Sequence, residues 1–159
     1  MNTNAGDAPE PVVDAVLSAS RVLVAVASRS LSDIAEDVTI TQYRTLVVLA
    51  SRGPQNLVGL ADLVGVTPAS ATRMCDRLVA KGLIARASDL GDRRQVRLTL
   101  TKNGSRLVRT VTDRRRSEIA AILGSLDAKD QVVLVKALSQ FASAAGEVAD
   151  HEWFDGWAL

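Results

Sequence analysis

The sequence predicts a mainly α-helical chain carrying a single two-stranded β-hairpin, and three observations predict it. Residues 57–64 form a short apolar run closed by Gly65 and followed at once by Thr67-Pro68, which reads as helix, tight turn and capped helix. Residues 83–100 change period: an extended run to Ser88, a turn at Asp89-Leu90-Gly91-Asp92, then Val96, Leu98 and Leu100 alternating with Gln95, Arg97 and Thr99. Long segments at both ends repeat apolar residues every three or four positions, the period of a helix.

From the start of the chain, residues 1–10 are polar and proline-containing and are expected to be a disordered tail. Residues 11–36 read as one long helix. Val13, Val16, Leu17, Ser20, Leu23, Val24, Ala27, Leu31 and Ile34 form its stripe, widened by Val12, Val22 and Val26. A stripe that broad needs cover on more than one side, and a second copy of the chain is the economical cover. Thr41 is positioned to cap a helix over 42–52, ended by Gly53-Pro54, with Tyr43, Leu46, Val47 and Ala50 buried.

The helix that begins at Thr67 sorts cleanly at about 100° per residue. Ala71, Met74, Cys75 and Leu78 fall on one side, Ala69, Thr72, Arg73 and Asp76 on the other, with Ser70 and Arg77 on the flank. An apolar back with small, polar and basic residues in front suits insertion into a DNA major groove. Gly82 ends this helix, and the hairpin that follows places Arg93 and Arg94 at or beside its tip. Helix-turn-helix followed by a basic-tipped hairpin is a winged helix-turn-helix. Thr101 then caps a helix from Lys102 towards Leu123, with Leu107, Val108, Val111, Ile119 and Ile122 apolar and the run Arg114-Arg115-Arg116 interrupting them. Gly124-Ser125 breaks it. Asp127 caps a last helix bearing Val132, Val133, Val135, Leu138 and Phe141.

Net charge is only +1, but its distribution is uneven. Residues 67–109 hold ten Lys/Arg against three Asp/Glu, a local +7, which leaves −6 for the rest of the chain. A local basic excess is the footprint of a nucleic-acid surface, here coincident with the winged helix.

Several short motifs resemble the MarR family of bacterial winged-helix regulators. They are Leu60-Ala61, Asp76-Arg77-Leu78, Lys81-Gly82-Leu83-Ile84 with Arg86, Asp92-Arg93-Arg94, and Leu100-Thr101 followed by Gly104. The Asp-x-Arg wing followed by Leu-Thr-x-x-Gly is the most discriminating. The resemblance implies a homodimeric regulator, most simply a repressor. Residues 11–36 and 102–150 would be its dimerisation helices and 41–101 its winged-helix DNA-binding region, all within one domain spanning 11–150. Two recognition helices would then enter successive major grooves of a pseudo-palindromic operator. The resemblance further implies that Arg77 and Asp92 hold wing to helix and that Arg94 enters the minor groove. A small anionic aromatic effector, bound between the dimer helices and the winged helix, is implied by resemblance alone.

The candidate contacts to double-stranded DNA are therefore Thr67, Ala69, Ser70, Thr72, Arg73, Arg77, Arg86, Asp92, Arg93 and Arg94. Arg73 is long enough for a base edge or a phosphate, with an ion pair to Asp76 as its competing use. Arg86, Arg93 and Arg97 read as phosphate contacts or solvated positions. Cys75 lies on the apolar side, where a cysteine is a small hydrophobe rather than a sensor. One cysteine makes no internal disulfide, which fits a reducing cytoplasm. One histidine and one cysteine make no zinc set, no resident cofactor is expected, and neither a phosphate-binding glycine loop nor a Ser-His-Asp set supports catalysis. No uninterrupted apolar run reaches the length of a membrane span, the longest being residues 22–27, so no membrane partner is expected. Three of the five aromatic residues, Trp153, Phe154 and Trp157, sit in an aromatic tail over 151–159, expected to pack on the dimer region or to line a ligand cavity. A winged helix that serves a protein partner without specific DNA binding is the alternative from another class.

Overall fold

The computed structural model describes residues 8–88 and 96–148; the wing tip with Asp92, Arg93 and Arg94, and the tail from 149 onward, lie outside the described residues. Among the described residues, six helices and two paired antiparallel strands follow in order: α1 (Glu10–Ser32), α2 (Ile40–Arg52), α3 (Leu57–Val64), α4 (Pro68–Ala80), β1 (Ile84–Ser88), β2 (Val96–Leu100), α5 (Lys102–Leu123) and α6 (Ala128–Ala144). The mainly helical, winged architecture expected from sequence is the one observed.

Local chemistry accounts for most boundaries. Asn56, Thr67, Thr101 and Asp127 each adopt extended backbone and accept a hydrogen bond from an amide three residues on, satisfying one donor that a helix start leaves orphaned. Gly65 takes the left-handed conformation (φ 75°, ψ 39°) that closes α3, where a β-carbon would be strained.

Three helix boundaries differ from the sequence expectation. The first helix begins at Glu10, inside the tail expected over 1–10, because an acidic residue and Pro11 both suit a helix's first turn. The cap of α2 is Thr39, not Thr41: its hydroxyl accepts from Gln42 N while the Gln42 side chain accepts from Thr39 N. This reciprocal box satisfies two amides at once, and of the two threonines only Thr39 stands the required three residues before Gln42. The first helix stops at Ser32 rather than 36. Its cap Asp33 is followed by a tight turn, Ile34 N to Leu31 O at 3.1 Å, which brings Ile34, Ala35 and Val38 against the core.

The core is the contact of α2, α3 and α4 with the wing base and the first half of α5. Leu46, Leu60, Leu78, Ile84, Leu98 and Val108 are buried at its centre. The hairpin pairs Ile84 with Leu100 and Ser88 with Val96 in antiparallel register. Gln55 adds a further rung outside both strands, giving its N–H to Leu98 O (3.1 Å) and accepting from Leu98 N (2.8 Å). The wing base is thereby stitched to the segment that enters α3. Thr101 fastens the other side: its hydroxyl lies 2.7 Å from Gly82 O and 3.0 Å from Leu83 O while it caps α5. Gly104, one turn further, lies so close that a β-carbon there would sit 2.1 Å from Leu83 O.

The terminal helices are different. Only Val26, Ser30 and Leu31 of α1 are buried, and no residue of α6 is. Val12, Val16, Leu17, Leu23 and Val24 of α1 are exposed, as are Val132 (71%), Leu138 (50%) and Phe141 (57%) of α6. By length and composition α1 could also cross a membrane, contrary to the expectation drawn from uninterrupted runs: single charges interrupt a run without removing the helix's average apolarity. In this fold its C-terminal third is spoken for. Ser30 Oγ donates to Glu118 at 3.2 Å, Arg29 pairs with Glu118 at 3.0 Å, and Asp33 pairs with Arg114 at 3.3 Å, binding α1 to α5.

Candidate nucleic-acid interface and the cavity behind it

Helix α4 separates as its periodicity requires. Ala71, Met74, Cys75 and Leu78 are buried, whereas Ala69, Arg73, Asp76 and Arg77 are exposed and Ser70 and Thr72 half-buried. The hydroxyls on this face are committed locally. Thr67 Oγ1 accepts from Ser70 N at 3.2 Å and donates to Ser70 Oγ at 3.0 Å, and Thr72 Oγ1 donates to Pro68 O at 3.0 Å. Arg73 Nη2 donates to Ser70 Oγ at 3.3 Å, so its guanidinium lies back along the helix and not on Asp76.

Asp76 is taken instead by Arg86 of β1, whose Nη2 donates to Asp76 Oδ1. The one carboxylate of α4 is thereby neutralised, so Arg73 and Arg77 dominate the potential of the outward face. The pair also ties β1 to α4, the task expected of Arg77 and Asp92; Asp92 itself lies outside the described residues, as do Arg93 and Arg94. Arg73 and Arg77, one turn apart, line a groove of about 250 Å³ together with Thr39, Thr41 and Gln42 at the start of α2. Cys75 is buried behind them, and burial pushes its thiol pKa up, away from the reactive thiolate, with Arg86 nearby opposing this.

On the far side of α2 lies a larger cavity of about 450 Å³, lined by Tyr43, Arg44 and Val47 of α2, Thr112, Arg115, Arg116 and Ile119 of α5, and Glu147 and Val148 beyond α6. The Tyr43 hydroxyl and Thr112 Oγ1 are 3.2 Å apart and hydrogen-bonded. Arg44 grips Glu147 with both Nη atoms, at 2.9 and 2.7 Å. That bond holds the Glu147 carboxyl below its ordinary pKa against some opposing burial, and raises Arg44 correspondingly. Arg115 Nε is buried without a hydrogen-bond partner. Three guanidinium groups and one carboxylate thus line the cavity, and the buried Arg115 Nε is a donor that an anion could satisfy.

Comparison with known proteins places this architecture. The MarR family model matches residues 38–96. The transcriptional repressor MdtR of Bacillus subtilis (strain 168) is 31% identical over 110 residues, 69% of this chain and 71% of MdtR. The chain belongs to the MarR family. It is a DNA-binding transcriptional regulator and not an enzyme. The MarR fold matches over nearly the whole chain in the crystal structure of RV1404 from Mycobacterium tuberculosis, with 43% identity, 92% of this chain and 99% of that one covered, and a TM-score of 0.84. It also matches BpsR of Bordetella bronchiseptica, whose DNA binding is regulated by 6-hydroxynicotinic acid: 26% identity, 84% and 99% covered, TM-score 0.63.

In this MarR-family chain the sequence locates the α4 face but not the cavity. Arg44 carries no motif. Arg115 does leave a signal: Val108, Val111, Thr112, Arg115 and Ile119 follow one another at steps of one, three and four residues, so an arginine occupies a position on the buried stripe of α5. A cation on an apolar stripe needs a reason, and the cavity supplies it.

Proposed function

We propose that this MarR-family regulator acts as a homodimeric, ligand-responsive repressor of a pseudo-palindromic operator. The observation that carries the reading is the outward face of α4, where Arg73 and Arg77 project from a helix whose back is locked in the core. Ala69, Ser70 and Thr72 are small enough to let the helix approach base edges, and Thr67 orders its first turn. Arg93 and Arg94 at the wing tip serve the neighbouring backbone and minor groove. The exposed apolar residues of α1 and α6 support the dimer, since contiguous apolar faces of this kind are covered in a stable assembly. The cavity between α2 and α5 supports the ligand response, and its arginines favour a small aromatic carboxylate. Such a ligand would act by its different affinity for dimers with different recognition-helix spacing.

The test is binding of the purified protein to its own upstream promoter DNA, titrated across salt, beside an Arg73→Ala, Arg94→Ala variant. The expected result is tight, salt-sensitive, sequence-selective binding, weakened in the variant by about 1–3 kcal/mol for each base-edge hydrogen-bonding arginine removed. Binding that is indifferent to sequence and unchanged in the variant would overturn the assignment of these residues.

A further inference from the structure

The cavity between α2 and α5 is closed on one side by the short segment that follows α6, and its geometry is built rather than incidental. Gly146 has φ 69°, and the turn around it carries both bonds of a helix-ending motif: Gly146 N to Ser143 O and Glu147 N to Ala142 O, each 3.0 Å. That turn sends Glu147 back towards α2 instead of onward along the helix axis. Arg44 and Arg52 lie eight residues apart, about 12 Å along α2. Arg44 takes the Glu147 carboxylate through both nitrogens, and Arg52 donates to Gly146 O. Val148 packs against the core beside them. These contacts form a clasp between the end of α6 and the helix that braces the recognition helix.

The clasp and the anion site share a residue. Arg44 lines the same cavity as Arg115, whose Nε has no partner, and its fork is filled by a carboxylate of the chain itself. We propose that Glu147 is an internal occupant of the cavity's anion site, so that an aromatic carboxylate entering beside Arg115 competes with it for Arg44 and frees the end of α6 from α2. The inference rests on the ligand reading above and adds the route by which occupancy is felt: the clasp opens when the ligand binds. The competition is between chemically equivalent groups, because carboxylate replaces carboxylate on one guanidinium fork. Both clasp partners are about two-fifths exposed, so the bond being displaced is a weak one that a millimolar or micromolar ligand can contest.

The test uses 6-hydroxynicotinate and benzoate as probes, with the full chain, measured by calorimetry and by amide hydrogen exchange. Glu147→Gln keeps the shape of the side chain and removes its charge. It is expected to bind the probes more tightly than the unsubstituted chain, by up to about fivefold, the upper end of what exposed ion pairs command, and Arg44→Gln in the same chain is expected to cancel the gain. In the unsubstituted chain, probe binding is expected to speed exchange at the Gly146 and Glu147 amides, an effect that mere removal of a repelling charge would not produce. If the unsubstituted chain binds a probe and Arg115→Gln loses it, but exchange at 146 and 147 is unchanged or slower, the ligand site stands and the clasp proposal falls. If neither the unsubstituted chain nor Glu147→Gln binds either probe, the aromatic-carboxylate reading of the cavity fails and the proposal falls with it. Thermal unfolding of each variant separates these outcomes from loss of fold.

Discussion

The winged-helix region and the terminal helices are made from the same kind of sequence and end in opposite states. In α2, α3 and α4 the apolar stripes converge on one another and on the wing base, so Leu46, Leu60 and Leu78 have essentially no exposed surface. In α6 an equally regular stripe, Val132, Val135, Leu138 and Phe141, stands in solvent, and most of α1 does likewise. Periodicity reveals that a helix has a face to bury. It does not reveal which chain buries it. The first region closes on itself, whereas the second has the character of half an interface.

The contrast is broken most severely by placing charge on the open half. If the proposed dimer is held by this face, Leu138→Glu with Phe141→Glu is expected to yield monomer in sedimentation equilibrium where the unsubstituted chain is a dimer, with the thermal transition of the winged-helix core retained. A dimer that persists would show that α6 faces solvent in the assembly. Leu60→Ala, in the closed half, is the converse. It should cost about 2–5 kcal/mol in denaturant unfolding of the core, because surrounding side chains refill such a cavity only in part.

A smaller effect tests the seam where the two halves join. Gly104→Ala directs a methyl group at Leu83 O and at a Leu100 methyl carbon, so α5 must lift from the wing base. A destabilisation of about 1–3 kcal/mol in thermal or denaturant unfolding is expected. A neutral result would mean that α5 is free to shift at its root.

The smallest effect is electrostatic. Glu118 accepts from Arg29 and Ser30 of α1 and faces Arg114 of its own helix, with Asp33 on the far side of Arg114. The Arg29 hydrogen bond, foremost among these, holds its carboxyl below the ordinary value of 4.5, against partial desolvation. Folding therefore favours the charged form. This contribution is present above pH 4.5 and fades as pH falls through the lowered value. Unfolding midpoints followed down the acid limb should decline less steeply in Glu118→Gln than in the unsubstituted chain; identical slopes would show that the pair is fully screened by solvent.

Much of this is legible in the residues. Four of the helix starts are announced by a capping side chain three positions before the amide it serves, and the inner side of α4 follows from spacing alone. The start of α2 is ambiguous because Thr39 and Thr41 both qualify by type, and only the reciprocal bond of Gln42 distinguishes them. Long-range pairings are not legible. Nothing local marks Gln55 as a partner of Leu98, Arg86 as the partner of Asp76, or Arg44 as the partner of Glu147, since each joins residues brought together only by the packed fold. The outward side of α4 is a property of one helix and can be read from it. The cavity is a property of three segments and cannot.

The seating of α5 on the wing base has a mechanical consequence. Thr101 and Gly104 leave no slack between the first turn of α5 and the backbone at Leu83, and Gln55 stitches the same hairpin to the entrance of α3. Wing, α3 and the root of α5 must therefore swing as one piece. The 22 residues of α5 make an arm about 33 Å long. Pivoted at its distal end, that arm needs to tilt by only about 5° to carry the wing base sideways by about 3 Å, close to the rise of one base pair. At this gearing, a side-chain-sized adjustment midway along α5 becomes a whole step of mismatch against a DNA helix.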